Sequence, residues 1–272
     1  MTISTVVSDV VTATPDVTWS IAVTGRTVAA HDPGRRLSTA SIGKILLLAE
    51  TARRIAEGTL DPGEPLRRDP AVAVADSGLW QHLSVDVLPL ADVAALIGAE
   101  SDNYATNVLL RRIGIEAVGA LTGTLGLEQT ALNRLVGIQP PGVHTKLSTG
   151  SARELAALML RLARGRLISP AVSARVDGWL ALNTDLSMVA SAFHLDPLAH
   201  LDAPLRNKTG TDDGIRADVG YLRGDRPLAY AVLANWDPAR DRTGAVLAGM
   251  REIGAALCRE PAGGSDHRVS DT

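Results

Sequence analysis

The chain has 272 residues, a net charge of −3 and a pI near 6.1, and 46% of its residues are hydrophobic. This length suffices for one sizeable core or two lobes, whereas the charge and the scattered arginines give no indication of a nucleic-acid partner. The single cysteine, Cys258, excludes an intramolecular disulfide and a cysteine-based zinc site. We expect its thiol to pack in the core, because it follows an apolar run.

The residues before Trp19 lack the basic segment and the unbroken apolar stretch that are typical of signal peptides. No segment approaches the roughly 18 consecutive apolar residues of a transmembrane helix. We therefore expect a soluble cytoplasmic protein with no membrane partner.

The first part of the chain is predicted to form two short strands and then helices. Thr18–Val23 and Thr27–Ala30 are typical of a hairpin that turns at Gly25. From Ser41 to Ala56 apolar residues recur at helical spacing, and a loop-rich region spans 59–85. The pattern predicts further helices over Leu90–Ala99, Tyr104–Ile113, Glu116–Thr124, Ser151–Arg164 and Val172–Leu182.

After Pro204 the pattern changes to strands. The sequence predicts strands over Leu205–Thr211, Arg216–Leu222 and Leu228–Ala234, a closing helix over Thr243–Cys258 and a disordered tail over 261–272. Because strands occur near both ends, we expect an α+β fold in which one antiparallel sheet, built from both termini, is flanked by helices. Residues 1–260 would form a single domain. Its sheet lobe would span about 15–36 and 200–260, and its inserted helical lobe about 40–195.

Ser41 and Lys44 combine a nucleophile with a base one turn later on the same helix face. A serine hydroxyl needs a base to take its proton, and a desolvated lysine with a lowered pKa can do so, whereas arginine stays charged. The chain has only three lysines, Lys44, Lys146 and Lys208. Four apolar residues follow Lys44, which indicates that this turn is buried and that Lys44 lines a site. The alternative is a serine that caps a helix beside a solvated lysine.

Ser101-Asp102-Asn103 lies in a break between two predicted helices. Ser101 would relay a proton to a leaving nitrogen, and Asn103 would hydrogen-bond both Lys44 and a substrate amide. Because Ser, Asp and Asn all cap helices well, an ordinary N-cap is the alternative.

Lys208-Thr209-Gly210 lies near the end of a predicted strand. Lys208 would steady Ser101 and attract a substrate carboxylate, Thr209 would bond that carboxylate, and Gly210 would let substrate approach the backbone. The alternative is a strand that ends in a turn.

Together, the three motifs resemble those of class A β-lactamases and their penicillin-binding relatives. The longer strings that begin at Ser101 and Lys208 add to this resemblance, which extends from about Thr18 to Cys258. It implies a β-lactamase/transpeptidase-like fold, with an oxyanion hole formed by the backbone N–H groups of Ser41 and Thr211. It also implies that Arg216 binds a substrate carboxylate, for which a surface arginine on a strand is the alternative.

The resemblance does not extend to the loop that carries the deacylating glutamate. Class A enzymes have Glu-x-x-Leu-Asn just after an arginine, and this glutamate activates the water that clears the acyl-enzyme. Here Val136 follows Arg134 at the glutamate position, and no Asp or Glu occurs between Glu128 and Glu154. Gln139 in this loop can position a water but cannot deprotonate it. His144 is a candidate base if it folds inward; a solvated loop histidine is the alternative.

The sequence therefore predicts a serine hydrolase that forms an acyl-enzyme on an amide or ester, with Lys44, Ser101 or His144 assisting deacylation. The alternatives are a penicillin-binding or sensor-type module that is acylated with little turnover, and a non-catalytic scaffold. Glutaminases share this type of fold, but the Ser-Asp-Asn and Lys-Thr-Gly strings favour the lactamase side.

We expect the partner to be a small-molecule amide, ester or β-lactam substrate, and the protein to be a monomer. No cofactor is expected. No metal is expected either, because the six histidines lack the spacing of a zinc site.

Overall fold

The computed structural model describes residues 1–139, 142, 144–199 and 201–260. In chain order, these residues form α1 (Ile3–Ala13), β1 (Thr18–Gly25), β2 (Ala29–His31), β3 (Leu37–Ser38), α2 (Lys44–Ala56), β4 (Pro65–Arg67), β5 (Val87–Pro89), α3 (Leu90–Glu100), α4 (Asn103–Ile113), α5 (Ile115–Thr124), β6 (Ala131–Leu132), β7 (Ser148–Gly150), α6 (Ala152–Ala163), α7 (Pro170–Leu180), β8 (Leu205–Asp212), β9 (Ile215–Leu222), β10 (Leu228–Asn235) and α8 (Thr243–Cys258). Short 3₁₀ turns occur at Ala40–Gly43, Pro70–Val72, Trp80–His82 and Val189–Phe193.

The main sheet has five strands in the order β2-β1-β10-β9-β8. Strand β1 pairs antiparallel with β10 along its whole length, from Thr18 opposite Asn235 to Gly25 opposite Leu228. The N-terminal strand is thus inserted next to the last strand of the chain. The predicted α+β fold, with one antiparallel sheet built from both termini and flanked by helices, is confirmed.

Two hydrophobic cores lie on opposite faces of this sheet. On one face α1 and α8 pack over β1 and β10, with Val6, Trp19, Val232 and Ile253 among the buried residues. On the other face α6 crosses β1, β9 and β10, and the remaining helices extend the core away from the sheet. In α2 every residue from Ile45 to Ala49 is buried, because α3, α4, α5, α7 and β6 all pack against this helix.

At the ends of the chain, one element was not predicted and one expectation was wrong. The first residues form helix α1, in which Ile3, Val6, Val7 and Val10 recur at helical spacing and pack in the core with α8. The β-branched valines disfavour a helix in isolation, so here tertiary packing overrides local propensity. Cys258 is exposed rather than packed in the core, since it lies at the end of α8.

The predicted disordered tail, residues 261–272, lies outside the described residues. In the part of the chain that the structure describes, no helix combines the length and the apolarity that a membrane span requires.

Candidate active site

Ser41 lies in the 3₁₀ turn Ala40–Gly43, which leads directly into α2. The buried Ser148 of β7 supports this turn. Its hydroxyl donates to the Ala40 carbonyl oxygen over 2.5 Å and lies 2.7 Å from the hydroxyl of Thr39. Ser41 itself is half-buried and lines a cleft. These hydrogen bonds fix the backbone around the predicted nucleophile, while its half-buried side chain lines the cleft.

Strand β8 packs unusually close to the same turn at Gly210. A Cβ at this position would lie 2.2 Å from the Thr39 carbonyl oxygen and 3.2 Å from the Ser41 amide nitrogen. Only glycine allows two backbones to approach this closely. Gly210 thereby brings Thr209 and Thr211 beside Ser41.

Lys44 is fully buried, with 0% of its surface exposed. Its ammonium nitrogen donates to Asn103 Oδ1 over 2.7 Å and to Ser101 Oγ over 3.1 Å, and it also donates to the Ser101 carbonyl oxygen. Burial and the positive charge of Lys208 lower the pKa of Lys44 well below its usual value, although Asp102 acts in the opposite direction. A lowered pKa favours the neutral amine, which is the form that accepts a proton.

Ser101 directly follows α3 as its C-cap and has a left-handed backbone, at φ = 54°. Such a conformation costs a serine about 1–2 kcal/mol, so the surroundings must enforce it. The next residue, Asp102, is fully buried. Its carboxylate accepts the backbone N–H groups of Leu79 and Trp80 at 2.8 and 2.7 Å, and it caps α4 through the Ala105 N–H at 2.8 Å. The N-cap interpretation of this motif therefore holds for Asp102, while the side chains of Ser101 and Asn103 face Lys44.

Lys208 is buried on β8 and donates to the Thr209 carbonyl oxygen over 2.8 Å. Burial lowers the pKa of Lys208 to about 8, although the carboxylates of Asp185 and Asp218 favour its charged form. Lys208 therefore carries its proton at neutral pH. Above about pH 8 it loses this proton, whereas an arginine would stay charged.

A buried polar network lies behind Lys208. Asp218 on β9 accepts hydrogen bonds from Asn207 Nδ2 and from the Tyr230 hydroxyl, each over 3.1 Å. Asn207 also accepts from Asn183 Nδ2 over 2.9 Å. Burial raises the pKa of Asp218 to about 7, even though these donors favour its ionised form. The network fixes the strand that carries Lys208 by satisfying polar groups that would otherwise be buried without partners.

The cleft beside Ser41 has a volume of about 290 Å³. Of the predicted site residues it contains Ser41, Ser101, Asn103, Thr209 and Thr211. Lys44 and Lys208 lie buried behind this surface, and Gly210 lies at the contact between β8 and the Ser41 turn. The structure thus brings together residues from three separate parts of the chain.

Three carboxylates also line this cleft: Asp76, Glu100 and Asp185. Each is bound by a neutral group: Asp76 accepts from Asn103, Glu100 from Thr184, and Asp185 from Ser187. Among the described residues, none of the three forms an ion pair. The cleft is therefore lined by three acidic side chains, with Lys208 buried behind them, so a cationic group of a ligand is favoured beside the carboxylates.

A sequence model described as the β-lactamase enzyme family matches residues 2–260. The chain belongs to this family. Comparison with curated proteins finds no significant match.

Solved structures of class A β-lactamases have the same fold. A β-lactamase from Sphaerobacter thermophilus is 23% identical, with a TM-score of 0.81 over 94% of this chain and 97% of that one. An ancestral class A β-lactamase is 23% identical, with a TM-score of 0.79 over 94% and 98% of the two chains. A mutant of PBP-A, in an acyl-enzyme complex with penicillin G, is 20% identical, with a TM-score of 0.79 over 94% of each chain. These matches establish the β-lactamase/transpeptidase-like fold of this chain.

Two residues that the sequence suggested for this β-lactamase-family site are not brought to the Ser41 cleft. The Arg216 guanidinium lies over the ring of Trp236, 5.9 Å from its centroid, and donates to the carbonyl oxygens of Asp212 and Ile215. His144 is exposed and lines a neighbouring cavity of about 180 Å³, which also borders Ala40, rather than the Ser41 cleft. A single strand or loop position does not reveal to which side a long side chain turns.

The loop that follows Arg134 is held by neutral contacts in this member of the family. Arg134 donates to the carbonyl oxygens of Thr145 and Leu135 at 2.7 and 2.9 Å. The buried Val136 is fixed by Asn107, whose side chain accepts the Val136 N–H at 2.8 Å and donates to its carbonyl oxygen at 2.9 Å. Asn107 belongs to the string that begins at Ser101. The backbone at position 136 is thus anchored, although its side chain is apolar.

Several residues of this site gave no signal in the sequence. Asp76 and Asp185 lie in loops and Glu100 ends a helix, where acidic residues are common. Only the folded chain shows that they meet at Ser41. Within the described residues, no group of three or more His, Cys, Asp or Glu side chains is arranged to hold a metal ion.

Proposed function

We propose that this β-lactamase-family protein is a serine hydrolase that forms an acyl-enzyme at Ser41 on an amide, ester or β-lactam substrate. The observation that carries the proposal is the position of Lys44. It is completely buried, has a lowered pKa, and is bonded to both Ser101 and Asn103. A purely structural lysine rarely occupies such a position, because burial of a charge without an ionic partner is costly.

In the acylation step, neutral Lys44 takes the proton of the Ser41 hydroxyl as its oxygen attacks the substrate carbonyl carbon. The negative charge that develops on the carbonyl oxygen is stabilised by the backbone N–H groups of Ser41 and Thr211, the pair that the family resemblance implies. The proton then passes from Lys44 through Ser101, 3.1 Å away, to the leaving nitrogen or oxygen as its bond to carbon breaks. The acyl group remains on Ser41.

The second step requires a water molecule and a base. We place the family's deacylating glutamate at position 136, where this chain has a buried valine, and the described part of the loop from Arg134 to Lys146 contains no carboxylate. His144 lines a different cavity. General-base assistance is typically worth roughly 10²–10⁴-fold, so we expect β-lactam acyl-enzymes to be cleared slowly.

The second candidate function, an acylated penicillin-binding or sensor-type module, differs from the first only in the rate of this step. The apolar Val136 favours this second function, because it supplies no base for deacylation. The carboxylates of Asp76, Glu100 and Asp185 in the cleft favour turnover instead, because any of them that reaches the water could act as the base. A non-catalytic scaffold is disfavoured, since it would not need Lys44 to be buried among polar partners.

A fluorophosphonate probe tests the proposed nucleophile without assuming a substrate. We expect one covalent adduct, mapped by peptide mass spectrometry to Ser41 and absent from Ser41→Ala. The matched control is Ser38→Ala, which removes a nearby half-buried hydroxyl and should leave labelling unchanged. An adduct that persists in Ser41→Ala would refute the assignment.

A further inference from the structure

A second and larger cavity lies at the end of the sheet opposite the Ser41 cleft. Its volume is about 580 Å³. It is formed where β1 ends at Gly25, where β10 begins after Pro227, and where α6 ends at Ala163. The strand register places Gly25 level with Leu205, six residues along β8 from Thr211, which corresponds to about 20 Å. The cavity is therefore distinct from the catalytic cleft.

Four arginines line this cavity: Arg26, Arg164, Arg166 and Arg226. They come from three turns that are far apart in the sequence, so the chain alone shows only scattered arginines. Among the described residues, none of the four guanidinium groups is in an ion pair. Bringing like charges together in one concavity costs free energy unless a counter-charge compensates.

The side chain of Arg26 shows this free-energy cost most clearly. Its Nη1 donates to the Arg226 carbonyl oxygen over 3.0 Å, but its buried Nε has no hydrogen-bond partner. A buried donor without a partner is expensive, and it is a group that a ligand can satisfy. Two acids lie nearby, Asp225 in the lining and Glu260 close enough to favour the charge of Arg26. Even if both are ionised, two positive charges remain in excess.

We infer that this cavity binds a small molecule that carries two or more phosphate groups. The planar guanidinium group matches the geometry of phosphate oxygens and forms paired hydrogen bonds with them. One phosphate would already balance two excess charges, but it offers too few oxygens for paired hydrogen bonds with four guanidinium groups, whereas two adjacent phosphates supply more of them. The volume is within the range of about 300–1,000 Å³ that is typical of small-molecule sites, so it leaves room for an organic group attached to the phosphates.

Isothermal titration calorimetry with inorganic pyrophosphate, at low salt, tests this site. We expect saturable binding to the wild-type protein, and binding at least about tenfold weaker in the double variant Arg164→Gln/Arg166→Gln. Both residues are exposed, so the double variant should fold. The control is Arg251→Gln, an exposed position on α8 outside the cavity, which should bind like the wild type.

Inorganic phosphate, titrated in the same way, distinguishes a diphosphate site from a general attraction of anions. We expect it to bind at least about tenfold more weakly than pyrophosphate. No binding of pyrophosphate up to about 10 mM, equal binding of the two anions, or equal affinity of the double variant would each overturn the inference.

Discussion

The ammonium nitrogen of Lys44 lies 2.7 Å from the side-chain oxygen of Asn103, although 59 residues separate them in the chain. This contact joins the start of α2 to the start of α4. It also gives the buried amine a neutral partner rather than an ionic one, so the pKa of Lys44 stays low. A carboxylate at position 103 would favour the charged ammonium and remove the base that acylation needs.

Lys44→Arg should abolish acylation of Ser41, because an arginine keeps its proton at every accessible pH. The measurement is the rate of fluorophosphonate labelling, followed by intact mass. Lys146→Arg is the matched control, since Lys146 is exposed and outside the cleft. We expect the control to react at the wild-type rate. Undiminished labelling of a folded Lys44→Arg variant would exclude Lys44 as the base.

The acylation rate with an anionic substrate such as penicillin G should fall above about pH 8, where Lys208 loses its proton. Burial lowers its pKa to about 8, so Lys208 is charged below this pH and loses its attraction for a carboxylate above it. Lys208→Arg should keep part of the activity and lose the decline near pH 8, because arginine stays charged. The pH profile of the second-order acylation rate measures both effects. The same decline in both proteins would assign it to another group.

Gly210→Ala should stop acylation while leaving most of the fold intact. The added methyl group would lie 2.2 Å from the Thr39 carbonyl oxygen, so β8 must move away from the Ser41 turn and disturb the oxyanion hole. Removal of one oxyanion donor typically costs about 10²–10³-fold in rate. Gly119→Ala, where nothing lies within 4 Å of the new methyl group, is the control. Circular dichroism and labelling rates together separate loss of function from unfolding.

Asp185→Asn should reduce the preference of the cleft for cationic over anionic substrates. Burial opposes ionisation of Asp185, but hydrogen bonds from Ser187 and Thr209 and the charge of Lys208 outweigh it and lower its pKa. The wild-type carboxylate should therefore favour cationic over anionic esters of the same leaving group. We expect the ratio of their kcat/KM values to fall several-fold in the variant, about 1 kcal/mol for one half-buried charge. Asp9→Asn, at an exposed position on α1, should leave the ratio unchanged.

Much of the site could be predicted from the sequence because its chemistry is concentrated in three short motifs. Each motif spans at most four consecutive residues, so local spacing already indicates which of its side chains lie close together. The sheet could likewise be predicted from strands near both ends. Helix α1 was not predicted: its apolar residues recur at helical spacing, but its β-branched valines disfavour a helix locally, and it packs in the core with α8.

The parts that the sequence did not predict depend on long side chains and on distant loops. Arg216 can turn towards either end of its strand, and its stacking on Trp236 decides the direction. The acidic wall formed by Asp76, Glu100 and Asp185 requires two loops and the end of α3 to meet, which no local pattern encodes. The same is true of the arginines at the opposite end of the sheet.

The consequence of Val136 can be tested by introducing the missing carboxylate. Val136→Glu should accelerate deacylation of a penicilloyl enzyme, provided that Asn107 still anchors the loop backbone. His144→Ala should leave the rate unchanged, because this histidine lines another cavity. The decay of the adduct after removal of excess penicillin G gives both rates. A slower decay in His144→Ala would identify His144 as the base.

Rapid-quench intact mass spectrometry after mixing with penicillin G tests most directly whether Ser41 is acylated quickly and released slowly. We expect one equivalent of penicilloyl adduct to accumulate in a burst, to be absent from Ser41→Ala, and to decay much more slowly than it forms. Rapid steady-state hydrolysis with no burst and no adduct, or an adduct of equal yield in Ser41→Ala, would contradict this mechanism.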